Sequence, residues 1–359
     1  MTITYLILTT MKFKNNILFL LIVSSAIGYG FIYSSSSEIE KIEALSSEIK
    51  SQNLVDVEIA LGGEKPNHHM KEFDPELAEA GELLIKEGKA SYNGKNGSLI
   101  SSYFNCTDCH NLVKETESLT DLDPQNRLDY LVKKGLPYTP GSTFYGIYNR
   151  DKYYNDDYDK KYGDLVVDAR DTLENAIQLC AEYCASGRPL VDWELNAIMH
   201  YYKSQELKLK DLNLSDSELN KIQSSIKNGG QDKETLKLLQ SKYVQAYGAT
   251  FTGSKAESER KYGEGGDVEN GRKIYESGCM FCHKNSRVTF LNLDDDVLSG
   301  QYLWKHRKGY DDLSIYQVVR WGTYPIVGRQ QYMPLYTKEK MSSQQLEDLM
   351  SYIKELAKK

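Results

Sequence analysis

Cysteine is scarce in this chain: six residues in 359 cannot form a disulfide scaffold, so where they fall matters more than how many there are. Positive charge is also short, with 44 Lys and Arg against 51 Asp and Glu. The net charge of −7 gives no electrostatic footing to a broad nucleic-acid-binding surface. No segment alternates apolar and polar residues for long enough to predict a substantial sheet. Long apolar runs are nearly absent, which excludes a multi-span membrane protein. Hydrophobic residues at 40% and 27 tyrosines do suit a folded chain of two or three domains. The six cysteines fall as three close pairs, Cys106/Cys109, Cys180/Cys184 and Cys279/Cys282.

One apolar run is long enough to matter, from Asn16 to Tyr33, preceded by Lys12 and Lys14 and followed by Glu38, Glu40 and Glu43. Residues 1–33 read as an export signal with the amino end toward the cytoplasm. No Ala-x-Ala site follows, which favours an uncleaved anchor over cleavage. The first cysteine is Cys106, so no lipid-attachment cysteine is expected. Removing residues 1–33 takes two lysines and no acid, moving the net charge from −7 to −9. The expected location is the periplasmic side, anchored to the inner membrane by this segment alone.

Residues 34–73 read as a Ser/Glu/Lys-rich tether. A first domain, 74–207, opens at Asp74-Pro75 with a helix carrying Leu77, Gly81, Leu84 and Ile85. A second helix follows the capping-box-like Asp171-Thr172-Leu173-Glu174, and a third runs from about Asp192. Residues 208–266 read as a charged helical linker with a capping box at Ser215 to Glu218. From 267 to 359 a shorter version of the pattern recurs: a helix with Gly271 and Tyr275, a cysteine pair, a long loop, and a last helix with Leu346, Leu349, Ile353 and Leu356. The expectation is an all-α fold of two related domains. The loops 110–170 and 283–343 are too long and irregular unless something other than peptide fills each domain. The Tyr-rich stretch Phe144 to Tyr162, with Asp156, Asp157 and Asp159 interleaved, reads as a solvated loop rather than a partner contact.

Cys106-Thr107-Asp108-Cys109-His110 and Cys279-Met280-Phe281-Cys282-His283 both fit Cys-x-x-Cys-His, the attachment signature of c-type haem. Two thiols three positions apart reach the two vinyl groups of one porphyrin edge, and the adjacent histidine binds iron. A shared Cys₄ zinc site would have to join pairs some 170 residues apart, a redox dithiol needs a strand-to-helix context, and plain disulfides leave both histidines unexplained. Two covalently bound haem c groups are therefore expected, held by Cys106, Cys109 and His110 and by Cys279, Cys282 and His283.

Each iron needs a ligand on its other face. In the second half Met333-Pro334 lies before the last helix, and Met333 is the expected sixth ligand; a thioether favours reduced iron and raises the potential. His306, amid Lys305, Arg307 and Lys308, reads as a surface residue. The first half has no methionine in the matching loop. Its candidates are Cys180 and Cys184, either of which as thiolate would lower the potential. A Cys180–Cys184 disulfide is the alternative, since residues four apart on a helix lie at about 6 Å. Cys180 is the better placed for ligation, continuing the stripe of Leu173, Ala176 and Ile177.

With these motifs the chain resembles the di-haem c-type cytochromes. The second half is similar to a class I cytochrome c domain through Gly271, Tyr275, the Cys279 to His283 motif, Met333-Pro334 and Tyr352. The first half more distantly resembles the amino-terminal domain of thiosulfate dehydrogenase and related sulfur-oxidation cytochromes, in Tyr145-Gly146-Ile147-Tyr148-Asn149-Arg150 and in Leu179 through Leu190. In that family the first haem is bound by His and Cys. The resemblance implies Cys180 as the ligand and Arg188 as an anion contact, although Cys184-Ala185-Ser186-Gly187 stands where the family has Ser-Met-Asn-Gly.

The leading expectation is electron transfer between redox partner proteins, donor and acceptor cytochromes or a respiratory complex, entering at the first haem and leaving at the second. The net charge suggests a basic partner. One alternative is an enzyme oxidising a small sulfur oxyanion, with Cys180 and Arg188 (or Arg170) as its working residues. The other is a cytochrome subunit of a larger respiratory complex.

Overall fold

The computed structural model describes residues 47–252, 260–308 and 314–359. The signal and anchor expected at 1–33 lie outside the described residues. Among those described, no helix is long and apolar enough to cross a membrane. The chain is mostly helical, as expected, and among the described residues its one sheet is the hairpin of β1 (Ser91–Tyr92) and β2 (Lys95–Asn96).

The helices, in chain order, are α1 (Leu54–Ala60), α2 (Pro75–Glu87), α3 (Pro124–Lys134), α4 (Tyr158–Tyr162), α5 (Leu173–Leu179) and α6 (Asp192–Ser204). They continue with α7 (Asp216–Lys227), α8 (Lys233–Gln240), α9 (Val268–Ile274), α10 (Met280–His283), α11 (Asp296–Lys305), α12 (Ile315–Trp321) and α13 (Ser343–Leu356). The Asp74 side chain accepts from Leu77 N at 3.0 Å and caps α2 as expected. The box at Ser215 and Glu218 caps α7. At α5 the capping box is not realised: Thr172 is the cap residue and its side chain makes no capping bond.

Two helix crossings frame the molecule, and both depend on a glycine. α2 packs on α6 where a Cβ at Gly81 would lie 2.0 Å from Ala197 O. α9 packs on α13 where a Cβ at Gly271 would lie 1.9 Å from Asp348 O. Only a residue without a side chain lets the backbones approach so closely. Around the first crossing Leu84, Ile85, Ala197 and Ile198 are buried with Phe144 and Tyr202. Around the second, Ile274, Tyr275, Leu349, Met350 and Ile353 are buried. Each fully buried aliphatic side chain contributes roughly 1.5–3 kcal/mol.

The two halves are not beads on a string. α3, in the loop of the first half, buries Leu128 and Leu131 in the core of the second. Arg127 meets Glu115 in a buried ion pair at 2.9 Å and Lys340 of the second half closes on Glu115 at 3.7 Å. Burial opposes the Glu115 charge, but Arg127 and Lys340 overcome it and hold the carboxyl down to about 2. Tyr138 N donates to Ser277 O at 2.9 Å, and the Tyr138 hydroxyl bonds to Lys340 O.

Nor do residues 47–73 form a free tether. Leu54, Val57 and Leu61 are buried with Leu207, Leu209, Leu219, Ile222 and Leu239, so α1, α7 and α8 make a third small core. The expected linker is thus helical but packed, and its partner is the stretch expected to be a spacer. A short helix with few apolar residues becomes worth forming once another element covers it.

Candidate functional site

The first Cys-x-x-Cys-His motif folds as a tight turn, Cys106–Asp108, closed by Asn105 N donating to the Asp108 carboxylate at 2.9 Å and by His110 N donating to Cys106 O at 3.1 Å. Cys106, Cys109 and His110 line a large cavity in the first half. The imidazole is stacked on Phe144 at 4.4 Å between ring centres, and its Nδ1 donates to Ser142 O at 2.6 Å. A carbonyl oxygen can only accept, so the proton sits on Nδ1 and the Nε2 lone pair is free. Gly141 leaves room for the ring: a Cβ there would stand 2.6 Å from His110 Nδ1. Burial lowers the imidazole to about 4, so it is neutral at pH 7.

The second motif follows a π-helical turn, Tyr275–Cys279, and runs into α10. Cys279, Cys282, His283 and Met333 line one cavity. His283 Nδ1 donates to Leu291 O at 2.8 Å, and burial lowers its imidazole, so here too Nε2 is the free, neutral donor atom. Met333 is fixed through its backbone: its N donates to Thr323 Oγ1 at 2.7 Å and its O accepts from Thr323 N at 3.0 Å. Gly322, at φ +66°, permits that turn, since a Cβ would meet Met333 O at 2.3 Å.

Cys180 and Cys184 reach the first cavity together. They lie on a π-helical turn that ends α5, where Ala185 N donates to Cys180 O at 2.8 Å. Such widened turns concentrate at functional sites. Both are free thiols. Contact with Cys184, then burial, raises the Cys180 thiol. The Cys184 thiol is lowered, first by Cys180 and then, against burial, by the hydroxyls of Tyr154 and Tyr332 and the Lys161 charge.

Arg188 is not brought to this cavity. Its guanidinium is held by Glu194 through two bonds of 2.7 Å and by Ser98 O at 2.6 Å. Arg170 pairs with Asp159 at 3.7 Å. His306 is exposed on the surface, as expected.

The Tyr-rich stretch is a correction. Tyr153, Tyr154, Tyr158 and Tyr162 form a wall of the first cavity rather than a solvated loop. The four-residue spacing of Tyr158 and Tyr162, which puts them on one face of α4, was the available signal; Tyr154 precedes that helix. The interleaved acids turn outward or cap backbone: the Asp156 and Asp157 carboxylates accept from Ala249 N and Phe251 N, both at 3.0 Å.

The two cavities share a wall. Phe104, Cys109, Pro140, Tyr332 and Pro334 line both. Across it, Cys282 Sγ lies 3.8 Å from Asp108 O, and Arg287 pairs with Asp108 at 3.0 Å. The first cavity is lined by the two thiols and the histidine of the first motif together with Cys180 and Cys184, the second by those of the second motif together with Met333.

Residues 266–353 match the family model described as cytochrome C oxidase, cbb3-type, subunit III. The carboxy-terminal segment is similar to a cytochrome c domain. The match spans about a quarter of the chain, and it implies covalently bound haem c, a haem-based electron-transfer role and redox partner proteins. No curated protein and no solved structure matches the chain.

Proposed function

We propose that this chain is a di-haem c-type cytochrome that relays electrons on the periplasmic side of a membrane, attached through residues 1–33. The observation that carries the reading is the pair of adjoining cavities, each lined by a Cys-x-x-Cys-His motif and a second sulfur donor. When bound, haem supplies a one-electron iron couple. The protein's part is to hold His110 and His283 with Nε2 free, to offer Cys180 to the first site and Met333 to the second, and to keep the two sites in contact. A thiolate lowers and a thioether raises the potential, so the donors give electron flow a direction, from first site to second. The family description, an oxidase subunit, favours a respiratory complex as partner.

Oxidation of a sulfur oxyanion has less support. Arg188 is paired with Glu194 away from the cavity, and the two cations near the sulfurs, Lys161 and Arg150, keep their charge but have their donors on backbone carbonyls, Lys161 on Trp321 and Thr323 and Arg150 on Thr143 and Tyr145.

Potentiometric titration of the full-length haem-loaded protein tests this reading. Two separate one-electron waves are expected, the lower belonging to the species with a thiolate-ligated low-spin resonance signal. A single wave, or two waves without that signal, would overturn it.

A further inference from the structure

The loop that carries Met333 is held from the other half of the chain. It leaves α12 at Trp321, turns at Gly322 and comes back to Met333, and Thr323 closes it. Thr323 N donates to Met333 O at 3.0 Å, Met333 N donates to Thr323 Oγ1 at 2.7 Å, and that hydroxyl donates to Gln331 O at 2.7 Å. Against this closure lies α4, from the first half. Its Lys161 ammonium donates to Trp321 O and, at 3.1 Å, to Thr323 O. The next residue, Tyr162, has its hydroxyl 3.1 Å from that of Tyr332, the neighbour of Met333. Tyr158 and Tyr162 also pack with Phe251, Trp321 and Leu335 in a small core of their own.

Lys161 is buried, and its Nζ lies 5.1, 5.5 and 5.7 Å from the ring centres of Tyr162, Tyr324 and Tyr332. A buried ammonium needs acceptors for its donors. Here they are the carbonyl that ends α12, which has no partner within the helix, and the carbonyl of the residue that grips Met333. The tyrosine rings add cation–π attraction to the same loop. Apart from Tyr162, each of these partners lies between Trp321 and Tyr332.

We propose that Lys161 is a positioning residue for the second site: from the first half of the chain it fixes Thr323, and through Thr323 it holds Met333 against release from the iron. This rests on Met333 being that site's ligand. A thioether favours reduced iron, so in the oxidised protein its hold depends most on how firmly the loop presents it. Without the ammonium two buried carbonyls lose their donor, and the loop gains freedom to carry Met333 away. An external ligand then competes better for the iron.

The test uses the full-length haem-loaded protein in its oxidised state, titrated with imidazole and followed by the methionine-to-iron charge-transfer band. K161M keeps the length of the side chain but loses its charge and its donors. It is expected to raise the apparent imidazole affinity of the second site roughly tenfold, the size of one lost charge-assisted hydrogen bond. K161Q, which keeps a neutral donor, gives an intermediate affinity and is the variant read if K161M does not take up both haems. T323V removes the hydroxyl that receives Met333 N and raises the affinity as well, and K161M with T323V goes no further than the larger single effect. In an M333A background, followed by the Soret band, K161M leaves the affinity where M333A put it. The thiolate-ligated resonance of the first site is unchanged throughout. An affinity unmoved by K161M would overturn the proposal, as would additive effects of K161M and T323V. An equal rise in the M333A background would overturn it too, since Lys161 would then act on access to the haem and not on Met333. Absence of the charge-transfer band from the unmodified protein would instead sink the ligand assignment on which the proposal rests.

Discussion

Met333→Ala is expected to lower the upper potential wave by tenths of a volt and to abolish the methionine-to-iron charge-transfer band, while the lower wave keeps its thiolate signal. Axial ligands move haem potentials over roughly 0.8 V, and exchanging a thioether for water or a stray nitrogen covers a sizeable part of that span. The substitution removes only the side chain. Both hydrogen bonds from Met333 to Thr323 run through its backbone or the threonine hydroxyl, so the turn at Gly322 survives. The chain should therefore remain folded, with thermal unfolding by circular dichroism close to that of the unmodified protein. An upper wave that stays put in M333A would show that Met333 is a packing residue, the ordinary fate of methionine in a core.

Cys180→Ala is expected to act in the opposite direction. It removes the thiolate, erases the sulfur-ligated low-spin signal and raises the lower wave by tenths of a volt, so that the two waves approach each other. Driving force between the sites shrinks with their separation in potential, and stopped-flow reduction should show the first haem no longer emptying into the second. Cys180 lies at the end of α5, beside Ala181, which packs in the first core. Alanine is tolerated in a helix and leaves a cavity of one sulfur atom, so a small loss of stability accompanies the large electronic change. If C180A retains the signal, another residue supplies the sulfur.

The features legible in the sequence share one property: their meaning is local. Each Cys-x-x-Cys-His motif spans five residues, and each cap at Asp74 or Ser215 acts within one turn. Gly81 and Gly271 stood out because each interrupts an apolar helical stripe. The structure gives the reason, since both mark the contact between the first and last helices of a half. What escaped notice depends on partners distant in the chain. α3, α11 and α12 lie in stretches read as irregular loop. α3 offers Leu128, Tyr130 and Leu131 to bury, and what buries them is the other half of the molecule. α1 is covered by residues beyond 206, so nothing near it announces its packing.

The site follows the same division. His110, Cys180 and Cys184 could be named from spacing and residue type, and they line one cavity. His283 and Met333 could be named likewise and line another. Lys161 and Tyr332 could not. Lys161 acts through carbonyls 160 and 162 residues away, and the hydroxyls of Tyr162 and Tyr332 meet across 170. A tyrosine among aspartates looks solvated until the chain closes over it. Arg188 was legible as an arginine near the sulfur pair, but its bond to Glu194 six residues on removes it from the cavity.

Central to all of this is that each of the two motifs carries its own covalent haem. Intact-mass measurement of the full chain, produced in a host that attaches haem to cysteine pairs and denatured before analysis, tests it most directly. The expected mass is that of the polypeptide plus two haems, falling by one when Cys106 and Cys109 are both changed to serine and by one when Cys279 and Cys282 are. A mass of the polypeptide alone, or with a single haem, would contradict it.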